Sequence, residues 1–363
     1  MMKKIGEAIK GVGIGILLIL VCIVLLAWNE YNNVNNIKAV AEARKDFIQI
    51  VSDAVNPENE GKLTAASGKL DVTDETVSDS LFNVSVHTAK LMRTVEMYQW
   101  KEESKENNGN KTYSYKQVWS ENPIDSSGFH TSGHENPGAL PFTSQTFLAE
   151  EARLGAFVLS GDQKAMLPGN AAVSDFSGTS AAEKGYTAAG EYLYSGASGS
   201  PKIGDVRVSY TYNNSSEISL LARQTGDTFT GYKTKSGVTL NKVVDGIRPG
   251  EEIIDIIQSE NNFLKWILRA IGILFMFIGF MLIFKPLCMA GAYIPILGSL
   301  VNTAAGFIAF VLGVSLSLIV IAVSWIFVRP LLGIGLLVAV VVLMIMLARY
   351  KRSAARRAGQ AQA

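Results

Sequence analysis

The chain has 363 residues, 48% of them hydrophobic, and a formal net charge of +1. A mean hydropathy of +0.22 is high for a soluble protein and low for one confined to the bilayer, so spans and a sizeable polar domain are expected together. The near-neutral balance excludes a global field that recruits nucleic acid, and the two cysteines, Cys22 and Cys288, lie in or beside apolar runs, which excludes a disulfide framework in the polar middle.

The first element is "GVGIGILLILVCIVLLAW", residues 11–28. About 18 residues without a charge cross most of a ~30 Å hydrocarbon core at ~1.5 Å rise per residue. Lys3, Lys4 and Lys10 precede it as in a signal peptide. The run is long for a signal h-region, however, and it ends in an interfacial Trp28 with no small-x-small site before "NEYNN". A membrane span is therefore expected. "VNNIKAVAEARKDFIQIV" then places Val34, Ile37, Val40, Ala41, Phe47, Ile48 and Val51 on roughly one helical face, which predicts an amphipathic juxtamembrane helix ended by "NPENEG".

From there the pattern is that of strands: "GKLTAASGKL", "NVSVHTAKLMRTVEMYQWKEE", "KTYSYKQVWSE", "EYLYSG", "DVRVSYTY", "SEISLLARQ" and "TFTGYKT". Joined through "SKENNGN", the second and third make a long hairpin whose aromatics, Tyr98, Trp100, Tyr113, Tyr115 and Trp119, are able to pair across the strands. That Tyr and Trp face is the expected interaction surface for a partner, a neighbouring subunit or lipid headgroups; packing into the domain's own core is the alternative. Residues 178–204, rich in Gly, Ser and Ala, read as a flexible insert. "PGEEIIDIIQSENNFLKWILRA" has Pro249 and an acidic first turn, as helix starts prefer, and is expected to run unbroken into the second span.

Three further spans are expected at about 266–284, 303–328 and 331–348, the last two separated only by Arg329 and Pro330. Placing Lys3, Lys4, Lys10, Lys285, Arg349, Lys351, Arg352, Arg356 and Arg357 in the cytoplasm requires an even number of spans. Four satisfy it, at the cost of Arg269 and Arg329 on the opposite side. The fold class is thus membrane α-helical with four transmembrane helices plus a β-rich α+β extracytoplasmic domain. The expected division is 1–28 for the cytoplasmic tip and first span, 29–262 for the domain, 263–348 for the three-helix block and 349–363 for a basic cytoplasmic tail. Residues 285–302, apolar but broken by Pro286, Pro295 and Gly298, suggest a membrane-hugging or re-entrant turn, with an interfacial connector as the alternative.

Ala305, Ala309, Gly313 and Ser317 form a small-residue stripe on the third span, Gly272 and Gly279 offer notches on the second, and Gly11 and Gly15 a weaker signal on the first. These are expected to pack helices, within one chain or between chains. The cores of the first, third and fourth spans hold no ionisable residue, which argues against ion-coupled transport.

Chemical motifs are sparse. His130, His134 and Glu135 in "FHTSGHENPG" suggest a metal, but Gly133 and Pro137 break a helical pair and no third ligand is near. Asp125, Ser126, Ser127 and His130 have hydrolase residue types without a G-x-S-x-G elbow. Phosphate loops and dinucleotide fingerprints are absent, so neither catalytic residues nor cofactors are expected. Asn83, Asn110, Asn213 and Asn214 each start an N-x-S/T sequon, relevant only in a secretory lumen.

"WNE" after the first span, "GKL" and "SGKL" at 61–70, "VSVHTAKLMRTVEMYQWKEE", "YSYKQVWSENPIDSSGFH", "NPGALPF", "RLGAFVLS", "GDVRVSYTY" and the closing three-span block resemble the LUMA, or transmembrane protein 43, family over nearly the whole chain. The resemblance implies an integral membrane protein with a large lumenal or extracytoplasmic domain. Eukaryotic members occupy the endoplasmic reticulum and inner nuclear membrane, self-associate, and organise membrane complexes such as those with lamins and emerin. It supplies no catalytic residues to carry over. The Gly and Ser rich insert, the short basic tail and the "MMKK" start suggest a bacterial member with a periplasmic domain, for which lamin-type partners would not apply. The expected function is a non-enzymatic scaffold or sensor that self-associates, with membrane lipids and other membrane proteins as partners and no nucleic acid. The alternatives are an oligomeric channel and a membrane-anchored hydrolase.

Overall fold

The computed structural model describes residues 2–72, 76–107, 110–291, 297–326 and, beyond these, 334, 335, 338–342 and 345. The helices include α1 (Met2–Asp46), α2 (Gly161–Met166), α3 (Gly250–Gly291) and α4 (Leu297–Ile326). The chain divides into a helical unit, 1–42 with 235–238 and 255–363, and a β-rich unit, 43–234 with 239–254.

In the helical unit, three stretches among the described residues are long and apolar enough to cross a membrane: Ile9–Asp46, Gly250–Met289 and Val301–Trp325. The fourth expected span, 331–348, lies largely outside the described residues. Among the buried positions of α1, Gly15, Ile19, Cys22, Leu26, Asn29 and Asn33 follow a four-three spacing that makes one seam along a helix. Ile14, Leu17, Val21 and Val24 are exposed, as residues facing lipid would be. Helix α3 does not stop at Lys285. It runs through Pro286 to Gly291, and α4 starts at Leu297, so most of the expected turn is helix. Pro286 removes one main-chain donor, a local loss that membrane helices tolerate when apolar residues continue on both sides.

The first span continues into a juxtamembrane helix as expected, but that helix ends sooner than expected. Helix α1 ends at Asp46, and Ile48–Val51 is an edge strand parallel to Leu63–Asp71, with Ile48 opposite Thr64. Ile, Gln, Ile and Val alternate half-buried and exposed there, a period of two rather than 3.6.

Leu63–Asp71 continues antiparallel to Glu217–Thr225, with Leu220 opposite Ala66, and the latter pairs with Lys242–Asp245. This sheet buries Ala66, Leu154, Phe157, Leu220 and Phe229. The second sheet runs Thr187–Ala189, Tyr192–Tyr194, Val206–Tyr212, Lys90–Asn107, Asn110–Ser120. The supposed flexible insert therefore supplies two strands, pinned by Leu193, which is fully buried opposite Val208.

The stretch "RTVEMYQW" alternates as a strand must: Arg93, Val95, Met97 and Gln99 are buried, and Thr94, Glu96, Tyr98 and Trp100 half-buried. Arg93 is tolerated inside because Nη1 donates to Asp79 at 2.6 Å, while the Tyr210 hydroxyl donates to the same carboxylate at 2.5 Å. Burial, and then the bond to Asp79, push the Tyr210 phenol far above its usual range. The unfolded chain releases this proton near pH ~10 and the folded chain does not, so the contribution to stability is complete below pH ~10 and declines as pH rises above it. Tyr210→Phe is expected to flatten the loss of Tm of the detergent-solubilised chain between about pH 9 and 11. An unchanged slope would show that Tyr210 does not set alkaline stability.

Candidate functional site

The hairpin Lys90–Asn107 with Asn110–Ser120 sets Tyr98 opposite Trp119, Trp100 opposite Gln117 and Glu102 opposite Tyr115. Only the first pair is aromatic on both arms, with ring centroids 5.0 Å apart. Trp119 also lies under the Arg207 guanidinium at 4.7 Å, and Arg207 is paired with Glu96 at 2.6 Å. The other aromatics meet the loop 121–137. Tyr113 stacks on His130 at 4.1 Å, Tyr115 stacks on His134 at 3.7 Å, and Trp100 meets His134 edge-on at 4.7 Å. Glu102 accepts from the Tyr115 hydroxyl and from the His130 N–H, both at 2.6 Å. These bonds, the tyrosine's first, hold its carboxyl below the ordinary range.

All five aromatics are thus half-buried, and three of them are clad by the chain's own histidines rather than left bare. The residues weighed as a hydrolase are distributed otherwise: Asp125 accepts from the Ser127 N–H at 2.9 Å, and Ser126 Oγ accepts from the Asn136 N–H at 2.9 Å. Among the described residues no three His, Cys, Asp or Glu side chains form a metal-holding group.

Asn136 does something the sequence reading missed. Its Oδ1 accepts from the Trp100 N–H at 2.7 Å and its Nδ2 donates to the Trp100 carbonyl at 2.8 Å, so one side-chain amide takes the place of the next strand on that edge.

In the helical unit, a Cβ on Gly15 would meet the Gly279 carbonyl at 2.6 Å, and one on Gly272 would meet Leu26 at 2.6 Å. A Cβ on Gly313 would meet the Phe277 backbone at 3.1 Å, while Ala305, Ala309 and Ser317 are buried beside it on α4. Gly15, Gly272, Gly279 and Gly313 thus lie where helices of one chain approach. Gly11 has open space around it. At one end of these contacts, Arg269 Nε and Nη2 donate to the two carboxylate oxygens of Glu30 at 2.6 and 2.8 Å, and the Trp325 indole N–H donates to the same carboxylate. Glu30 is fully buried. Arg269 also lies 4.7 Å from the Trp266 ring. What looked like a charge on the wrong side of the membrane is half of a bidentate pair.

Residues 97–330 match the family described as Transmembrane protein 43. The chain belongs to the Transmembrane protein 43 family. It is 31% identical to mouse Transmembrane protein 43 over 351 residues, covering 91% of this chain and 87% of the mouse protein. It is 30% identical to the human protein over 351 residues, with the same coverage, and 27% identical to the Drosophila melanogaster homolog over 336 residues, 86% and 88% of the two chains. No solved structure matches. Family membership and the three apolar helices make this Transmembrane protein 43 relative an integral membrane protein. These relatives are animal proteins and lend no support to a bacterial source.

Proposed function

We propose that this Transmembrane protein 43 relative is a non-enzymatic membrane scaffold that self-associates and gathers other membrane proteins. Both chain ends lie in the cytoplasm, the β-rich unit lies outside it, and the outer hairpin is the docking element. The observation that carries the reading is where the hairpin leaves its sheet. Val206 opposite Met97 is the last pair with the neighbouring strand, Asn136 closes Trp100, and residues 101–107 pair only with 110–116. A two-stranded arm with open edges is marginal on its own and offers main-chain donors and acceptors to a partner. Its face also bears Tyr113 and Tyr115, each covered on one ring face by a histidine but still half-exposed, aromatics of the kind interfaces favour. The animal relatives are named as membrane proteins, which is consistent with this reading.

A cysteine placed at Ser104, on the arm, is expected to react with a membrane-impermeant maleimide in intact cells, or in spheroplasts or selectively permeabilised cells as the host membrane requires. One placed at Ser353 should react only after the inner barrier is opened. The reverse order, or equal labelling, would refute the proposed orientation.

A further inference from the structure

Helix α1 spends four residues of one face, Asn29, Asn32, Asn33 and Asn36, on side chains that favour caps and turns over helix interiors. The spacing of three and four puts them on one side, and that side lines a cavity of about 470 Å³ within the helical unit. Asn261 and Lys265 of α3 form the opposite wall, and Ser236 closes it, its Oγ donating to the Asn35 carbonyl at 2.9 Å. Asn29 Nδ2 donates to the Lys265 carbonyl at 3.3 Å, tying the two walls together. Asn33 is only 6% exposed, and its Nδ2 has no acceptor among the described residues. A buried amide donor without a partner is costly, and here it stands beside a cavity.

The lining selects the ligand. It is rich in amide donors, Lys265 contributes a positive charge, and none of the residues is acidic. Lys265 Nζ donates to Asn262 at 2.7 Å, which holds the ammonium in place. Amide N–H groups with one ammonium suit an oxyanion of a phosphate ester. The depth selects the source. Trp28, which lines the cavity, ends the uncharged run of the first span, and Trp266 follows Lys265 where the second begins. Tryptophans at span ends sit at the headgroup level. Leu264 and Leu268 give the lining an apolar part suited to the glycerol and first acyl carbons.

We infer that this cavity is a binding site for the phosphate of a phospholipid headgroup. The test uses the full chain in detergent, titrated with dihexanoyl phosphatidylglycerol below its micelle concentration and read by Tm and by native mass spectrometry. Saturable binding is expected, with affinity lowered about tenfold or more by Lys265→Gln and by the isosteric Asn36→Asp, since each removes or opposes a charge-assisted contact. Lys38→Gln, an exposed change outside the cavity, is the control and should bind as the parent chain does. If Lys265→Gln fails to fold, Asn36→Asp alone decides. Three results would overturn the inference: equal affinity for a dihexanoyl glycerol lacking phosphate, equal binding of inorganic phosphate, or no loss in Asn36→Asp.

Discussion

Replacing Arg269 by Met is expected to cost this protein about 3–5 kcal/mol of stability, the largest effect of any single change considered. The substitution keeps the aliphatic stem and most of the side-chain volume, so lost packing is the smaller part of the effect. What it leaves is the Glu30 carboxylate, fully buried, with the Trp325 indole N–H as its remaining partner in the ion-pair cluster. In water an exposed pair of this kind contributes at most ~1 kcal/mol. Here neither oxygen reaches water, and two hydrogen bonds of 2.6 and 2.8 Å vanish together.

Adding Glu30→Gln to Arg269→Met should recover more than half of the loss. The buried charge is then gone, while an amide oxygen still accepts from Trp325. Thermal unfolding of the three detergent-solubilised chains checks this. If Arg269→Met melts with the parent chain, the pair does not hold the helices together. If the double variant is no better than the single one, the loss comes from packing rather than from a stranded charge.

That cluster shows where sequence reasoning stopped. Glu30 and Arg269 are 239 positions apart, and each lies at the edge of an apolar run, where a charge normally marks a boundary with water. A lone arginine at the start of a span reads as an orientation signal gone wrong, and only the packing of α1 against α3 turns it into half of a pair. The signal that was present is the opposite sign of two isolated charges, Glu30 just after the end of the first apolar run and Arg269 near the start of the second.

Other features were open to a reading of pattern alone. The uncharged run before Trp28 and the two-residue alternation from Arg93 to Trp100 are local consequences of burial, and both elements stand where those patterns put them. Local composition misled where long-range pairing decided. Residues 178–204 have the glycine and serine content of a linker, yet Leu193 between two tyrosines suffices to add a hairpin to the sheet. Ile48–Val51 continues an apolar helical face on paper, but Leu63–Asp71 offers it a strand edge. The aromatic hairpin was visible as a candidate surface; its cladding by His130 and His134 was not, because loop 121–137 carries no periodicity from which a path can be drawn.

The scaffold reading rests on the arm beyond the sheet, and the register permits a clean cut. Tyr98 and Trp100 turn their main-chain groups toward residues 204–205 and Asn136, so the odd-numbered residues of this strand bond across the hairpin. Glu103 and Ser114 are one such pair. Deleting 104–113 and joining Glu103 to Ser114 through Asn-Gly therefore closes the shortened hairpin with a two-residue turn. The contacts of Tyr98, Trp100, Tyr115, Glu102 and His134 remain; beyond the arm's own ladder, the stack of Tyr113 on His130 is lost. Chemical cross-linking of the full-length shortened chain in its native membrane, run beside its thermal unfolding, is the most direct measurement. The expected result is a Tm within a few degrees of the parent, because Ser104, Lys105, Lys111 and Thr112 are exposed, and a loss of most cross-linked assembly. A shortened chain that keeps its Tm and also keeps its full set of cross-linked partners would contradict the claim that the hairpin arm is where this protein docks.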